Sequence, residues 1–198
     1  MQKIVLLFQR KAPQTHVEFA EHYLEHHAPL GLRVAVQMDG YTVNLVPEDA
    51  SGDFDLDAVT ETWTPSVEAF MDPQRAFANE ADMTELMTDD ASFIANTRPY
   101  VVREELVVGD WPSGPVRTRT PGVKRISLHP TEATLPPTDG CTRVVRNRVL
   151  QSFLPDAPEA AVILLEWAES ADTLAPLDVL NWLVEENVQR QPSEWATS

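Results

Sequence analysis

Cysteine, basic charge and long apolar runs are all scarce in this chain. Cys141 stands alone, which excludes an internal disulfide, a thiolate zinc cluster and a Cys-x-x-Cys redox pair. With no histidine beside it in sequence to activate the thiol, it reads as a small buried residue on a strand. Only 15 Lys and Arg face 31 Asp and Glu, a net charge of −16. The deficit is concentrated in residues 1–105, where seven basic side chains meet 19 acidic ones. A phosphate backbone or an anionic membrane would be repelled, so neither nucleic acid nor membrane is an expected partner. No apolar run approaches the roughly 18 residues that a membrane span needs. The start "MQKIVLLFQRKAPQ" is too short in its apolar part to act as a secretion signal, and a cytoplasmic location is expected. With seven glycines there is no Gly-x-Gly-x-x-Gly, Walker loop or Gly-x-Ser-x-Gly, which counts against nucleotide cofactors and serine hydrolysis.

What the chain does have is apolar material for a substantial core: 198 residues, 43% hydrophobic, with five Trp, seven Phe and three Tyr. "KIVLLFQR" (3–10) reads as a buried strand. In "THVEFAEHYLEHHAPL", Thr15 and Glu18 form a capping box, and Phe19, Ala20, Tyr23 and Leu24 keep helical spacing. Pro29 disfavours helical geometry at Ala28, so the helix is expected to end there. Strands follow at 36–46 and 58–65, a helix interrupted near Pro73 at 66–90, and a strand at 96–108. The order β-α-β-β-α-β is the split βαβ pattern of a ferredoxin-like α+β sheet with both helices on one face.

Residues 109–122, rich in proline and glycine, read as a linker between a domain at 1–108 and a second half at 123–198. The second half partly repeats the first. "TDGCT" (138–142) answers "MDGYT" (38–42), and Trp167 at the end of "AAVILLEW" answers Trp63 at the end of "DAVTETW". Only about ten residues separate "VKRISLHP" (123–130) from the second Asp-Gly, leaving no room for the first helix. The segment 174–190 is expected to supply the second copy's other helix, and a fourth strand after residue 190 is expected to be missing. His129, just before a proline, reads as a loop residue. The acidic loop 48–57 has calcium-like Asp spacing but lacks the Gly and the terminal Glu in register, so no calcium is expected.

Three of the five histidines fall within six residues: His22, His26 and His27. On a regular helix His26 and His27 continue the apolar stripe, while His22 lies among Glu18, Glu21 and Glu25. A metal reading needs His22 and His26 to converge with a third ligand such as Glu18 or Glu25, and no metal is assigned. Without a metal, His22 is a solvated surface residue and the other two favour the negative end of the helix dipole. His27, beside the buried face, can also meet a ligand held between helix and sheet.

At these residues the sequence resembles the EthD family of the dimeric α+β barrel superfamily. The resemblance covers about residues 1–105. It rests on the strand "KIVLLFQRK", the turn "AP", Tyr23 four positions before His27-Ala28-Pro29, and a strand entered through "DGYTVN" (39–44). It implies a dimeric α+β barrel, here in tandem with a degenerate second copy, closed either within the chain or by a homodimer. It also implies a small-molecule substrate, because superfamily members include muconolactone isomerases, polyketide cyclases, cofactor-free monooxygenases and fungal polyketide dehydratases. The expectation is cofactor-independent proton transfer, a lyase or isomerase step such as dehydration, decarboxylation or cyclisation, on a small apolar carbonyl or phenolic metabolite. His27 would be the general acid/base, with Tyr23 and His26 beside it; Tyr41, Asn44 and Arg98 would be polar contacts, and Trp63, Phe8 and Phe70 the walls. The alternatives are an accessory protein that binds such a metabolite, and a metal or haem protein using His22 and His26.

Overall fold

A computed structural model of the chain describes residues 1–50, 54–111 and 118–193. Part of the acidic loop (51–53) and part of the expected linker (112–117) lie outside the described residues. The first half runs β1 (Gln2–Arg10), α1 (His16–His22), a π-helical turn (Tyr23–His27), α2 (Ala28–Val34), β2 (Gly40–Leu45), β3 (Ala58–Thr64), α3 (Val67–Met71), α4 (Pro73–Ala76), α5 (Glu80–Phe93) and β4 (Ile94–Val108). A two-residue β5 (Thr118–Arg119) then leads to β6 (Val123–His129), β7 (Cys141–Ser152), β8 (Val162–Ala168) and β9 (Asn181–Arg190).

Each half is an antiparallel sheet with the same strand order. In the first, β2-β3-β1-β4 is the ferredoxin-like arrangement; in the second, β7-β8-β6-β9 repeats it. The halves join edge to edge, β4 on β7 and β9 back on β2, so eight strands close into a barrel and β5 pairs outside on β9. Closure within the chain covers the four outer edges of the two sheets, which an isolated half would leave open for pairing. Among the described residues no helix is long and apolar enough to cross a membrane.

Strand alternation then sorts side chains into two cores. Val5, Leu7, Val59, Tyr100, Ile126, Leu128, Ile163, Leu165 and Trp182 fill the barrel. Phe8, Tyr41, Val43 and Ala58 on the outer face of the first sheet pack with Phe19, Tyr23 and Phe93 of the helices. The barrel interior also holds charge. Glu61 sits between Lys3 and Lys124, at 2.8 and 2.5 Å. Lys3 also pairs with Glu104, and Lys124 with Glu186. Each lysine lies over a tryptophan whose indole N–H donates to the same glutamate, Lys3 with Trp63 and Glu104, Lys124 with Trp167 and Glu186.

Two expectations are corrected. The helix does not stop at Ala28: the Ala28 N–H donates to Tyr23 O, five residues back, and the widened turn lets the chain pass Pro29 and continue to Val34. In the second half, residues 181–190 are not a helix but the fourth strand, β9, so that strand is not missing. They sit in a sheet position, and alternate burial along "NWLVEENVQR" fits a strand once the partners β6 and β2 exist. Short 3₁₀ turns at Glu132–Thr134 and Ala171–Thr173 stand where a ferredoxin-like half would carry helices. His129 is not a loop residue either; it ends β6, fully buried, bonded to Ser127 Oγ and Thr134 Oγ1.

Candidate active site

The helices of the first half leave a cavity of about 220 Å³ between themselves and the outer face of β2-β3-β1-β4. Its apolar walls include Leu6, Phe8, Phe70 and Phe77; Tyr41, Thr60 and Thr62 enter from the sheet, Tyr23 and His27 from the π-helical turn, and Asp90 from α5.

Thr15 starts α1 with its capping box, its hydroxyl accepting from the Glu18 N–H and its own N–H donating to the Glu18 carboxylate. Two turns later the π-helical segment adds a residue to the turn. All three histidines then reach one carboxylate, Asp89 of α5: His22 Nε2 at 2.8 Å, His27 Nδ1 at 2.8 Å and His26 Nε2 at 3.4 Å. Burial opposes charge on Asp89, but hydrogen bonds from His27 and His22 outweigh it and lower its pKa. Asp90, 3.5 Å from His27 Nδ1, behaves oppositely: burial raises its pKa, which His27 only partly offsets. The Tyr23 and Tyr41 hydroxyls are 2.9 Å apart and buried, and burial pushes both pKa values up, so both remain neutral donors. Thr62 Oγ1 is buried without a hydrogen-bond partner among the described residues.

The structure therefore brings His27, Tyr23, Tyr41, Phe8 and Phe70 together. It puts His26 outside the cavity, its side chain 62% exposed. Asn44, Trp63 and Arg98 lie on the other face of the sheet, because they alternate with the residues that face the helices. There Asn44 donates to Val59 O and Glu61, Trp63 to Glu104, and Arg98 to Gln9 and Asp156. Sequence reasoning missed Asp89 and Asp90. One signal was present: two adjacent carboxylates near the C-terminal end of a helix oppose its dipole, a placement that calls for a compensating partner.

With this geometry in hand, residues 11–97 match the family model of the EthD domain. That span includes every cavity residue named above except Leu6 and Phe8. No curated protein matches the sequence significantly. Among solved structures the fold is similar to one described as an anthrone oxidase-like protein. The TM-score is 0.56 at 12% identity, over 94% of this chain and 90% of that one. That likeness is one of fold, and it spans both halves. Residues 11–97 of this chain thus match the EthD domain, and they are set in an α+β barrel that the chain's two halves complete between them.

Proposed function

We propose that the cavity of the EthD domain performs cofactor-independent proton transfer, a lyase or isomerase step, on a small, flat, enolisable carbonyl or phenolic metabolite. The observation that supports it most is the His27–Asp89 hydrogen bond at the cavity wall. Asp89 accepts from Nδ1–H and so fixes the imidazole tautomer in which Nε2 is the free base. In this reading His27 Nε2 takes a proton from the carbon next to the carbonyl. The Tyr23–Tyr41 pair donates to the oxygen on which charge develops, as neutral hydroxyls in a largely apolar cavity. The same proton then returns from His27 Nε2 to a second atom of the substrate, with Asp90, 3.5 Å from His27 Nδ1, lining the same wall. Phe8, Phe70 and Phe77 hold a planar ring. His26, although adjacent in sequence, has no part in this chemistry. We also read residues 123–198 as a degenerate second copy of the domain at 1–108, reached through 109–122, which gives one site per chain.

A second reading is a carrier that binds such a metabolite without transforming it, and the largely apolar cavity lining favours it. Anthrone, suggested by the name of the structurally similar protein, separates the two because its methylene protons exchange through the enol. Under anaerobic conditions in D₂O, the methylene proton signal should disappear faster with the protein than in buffer. His27→Ala should remove about 10²- to 10⁴-fold of the enhancement. Bound anthrone that exchanges at the buffer rate with wild type would support the carrier instead; a panel of small aryl ketones extends the test.

A further inference from the structure

On the outward side of the π-helical turn, away from the cavity, His22, His26 and Asp89 each offer a ligand atom, and these atoms lie within 4.8 Å of one another, with His22 Nε2 and His26 Nε2 at 2.8 and 3.4 Å from Asp89 Oδ1. We propose that these three side chains form a site for a borderline divalent transition metal, of the zinc, cobalt or nickel class, outside the cavity but joined to it through Asp89, whose other oxygen holds His27. Two imidazoles and one carboxylate are a donor set suited to such ions, with one position left for water. In tetrahedral zinc, ligand atoms about 2.0–2.1 Å from the metal are about 3.3 Å from one another. The His26–Asp89 distance is already 3.4 Å, and the His22–Asp89 distance of 2.8 Å has to open by about half an ångström.

The local structure permits that adjustment. The His26 side chain is 62% exposed, so its ring can turn freely, while His22, 30% exposed and with its ring centroid 4.6 Å from that of Phe93, needs only the shift of about half an ångström. Their centroids are already 5.0 Å apart. Asp89 Oδ2 is held by His27, which fixes the carboxylate and leaves Oδ1 to the outward side. The acidic first half adds a field that draws cations. A helix pair alone offers two ligands; the third comes from α5, which packs against the π-helical turn only in the folded chain.

The test uses the tag-free full-length chain titrated with cobalt(II), followed by visible absorption, with calorimetric zinc titration alongside. One equivalent should bind and give the intense visible band of low-coordinate cobalt. His26→Ala, at an exposed position that leaves the fold intact by circular dichroism, should weaken binding at least tenfold, and so should His22→Asn. An unchanged affinity in both variants, or the weak spectrum of fully hydrated cobalt at saturation, would overturn the proposal.

Discussion

Replacing Glu61 by Gln tests whether the barrel interior is held by its charges. Glu61 is 2% exposed and is shared by Lys3 and Lys124, so the substitution leaves two buried ammonium groups with one carboxylate fewer. Removing one member of a buried ion pair costs about 3–5 kcal/mol, because the partner's charge is then uncompensated. At this chain length that lowers Tm by roughly 6–20 °C. The pH dependence provides a second, independent check. Burial would raise the Glu61 pKa, but Lys124 and Lys3 outweigh burial and hold it well below the usual carboxylate range. A depressed folded pKa contributes stability above the unfolded value of about 4.3 and loses it as pH falls toward the folded value. The gap between wild type and variant should therefore shrink by about 2 kcal/mol between pH 7 and pH 3. Urea melts at both pH values read this directly. The double variant Glu61→Gln with Lys124→Gln should cost less than the sum of its parts by at least about 1 kcal/mol. A single-variant loss below about 1 kcal/mol at pH 7, or a gap that does not change with pH, would refute a charge-stabilised interior.

Tyr23, Tyr41 and Tyr100 are the only tyrosines, and burial raises the pKa of each, that of Tyr100 to about 12. Folded-state values above the unfolded value of about 10 mean stability that is lost as pH rises past that value. No tyrosinate absorbance should therefore develop with a midpoint near pH 10 in the native protein, and a tyrosine that titrates there would contradict the burial of this set. Gly122 precedes β6 at φ +82°, and a Cβ there would meet the Ala168 carbonyl oxygen. Gly122→Ala should cost about 2 kcal/mol or more by chemical denaturation, and a neutral effect would argue against that backbone geometry. A chain cut to residues 1–111 loses the partners of β2 and β4 and exposes the inner face of its sheet. It should sediment as a dimer or larger species while the full chain sediments as a monomer; a well-folded monomeric half would count against mutual closure.

The first half was legible because its signals are local. The capping box, the alternating strands and the interruption at Pro73 all appear in the structure close to where the sequence puts them. Pro29 was misleading because a proline penalises an α-helical turn, and the chain here answers with a π-helical one whose hydrogen bond skips a residue. Residues 181–190 were misleading because short apolar and charged stretches fit either period until strand partners are known. The site was half legible. His27, Tyr23, Tyr41, Phe8 and Phe70 converge, but Asp89 and Asp90 come from a helix 62 residues beyond His27, and contact at that separation leaves no trace in spacing. Asn44, Trp63 and Arg98 were assigned to the same wall although they lie on the other face of the sheet; for Asn44 the odd spacing from Tyr41 on β2 already says so, while Trp63 and Arg98 need the register of β1 against β3 and β4.

The same parity separates the inward and outward faces of the two halves. Equivalent strands keep their inward residues: Lys3 and Lys124 both pair in register with a tryptophan, Trp63 on β3 and Trp167 on β8. The outward residues of the same strands diverge. Ile4, Leu6 and Phe8 of β1 correspond to Arg125, Ser127 and His129 of β6. The first set faces helices, and apolar burial suffices there. The second set faces loops, whose backbone must be satisfied one group at a time. Arg125 pairs with Glu166 and donates to Ala175 O, while His129 bonds Ser127 and Thr134. Restoring a helix over that face would strand these polar groups unless all were replaced together. Among the described residues the second half thus carries 3₁₀ turns in place of helices, a state its own side chains hold.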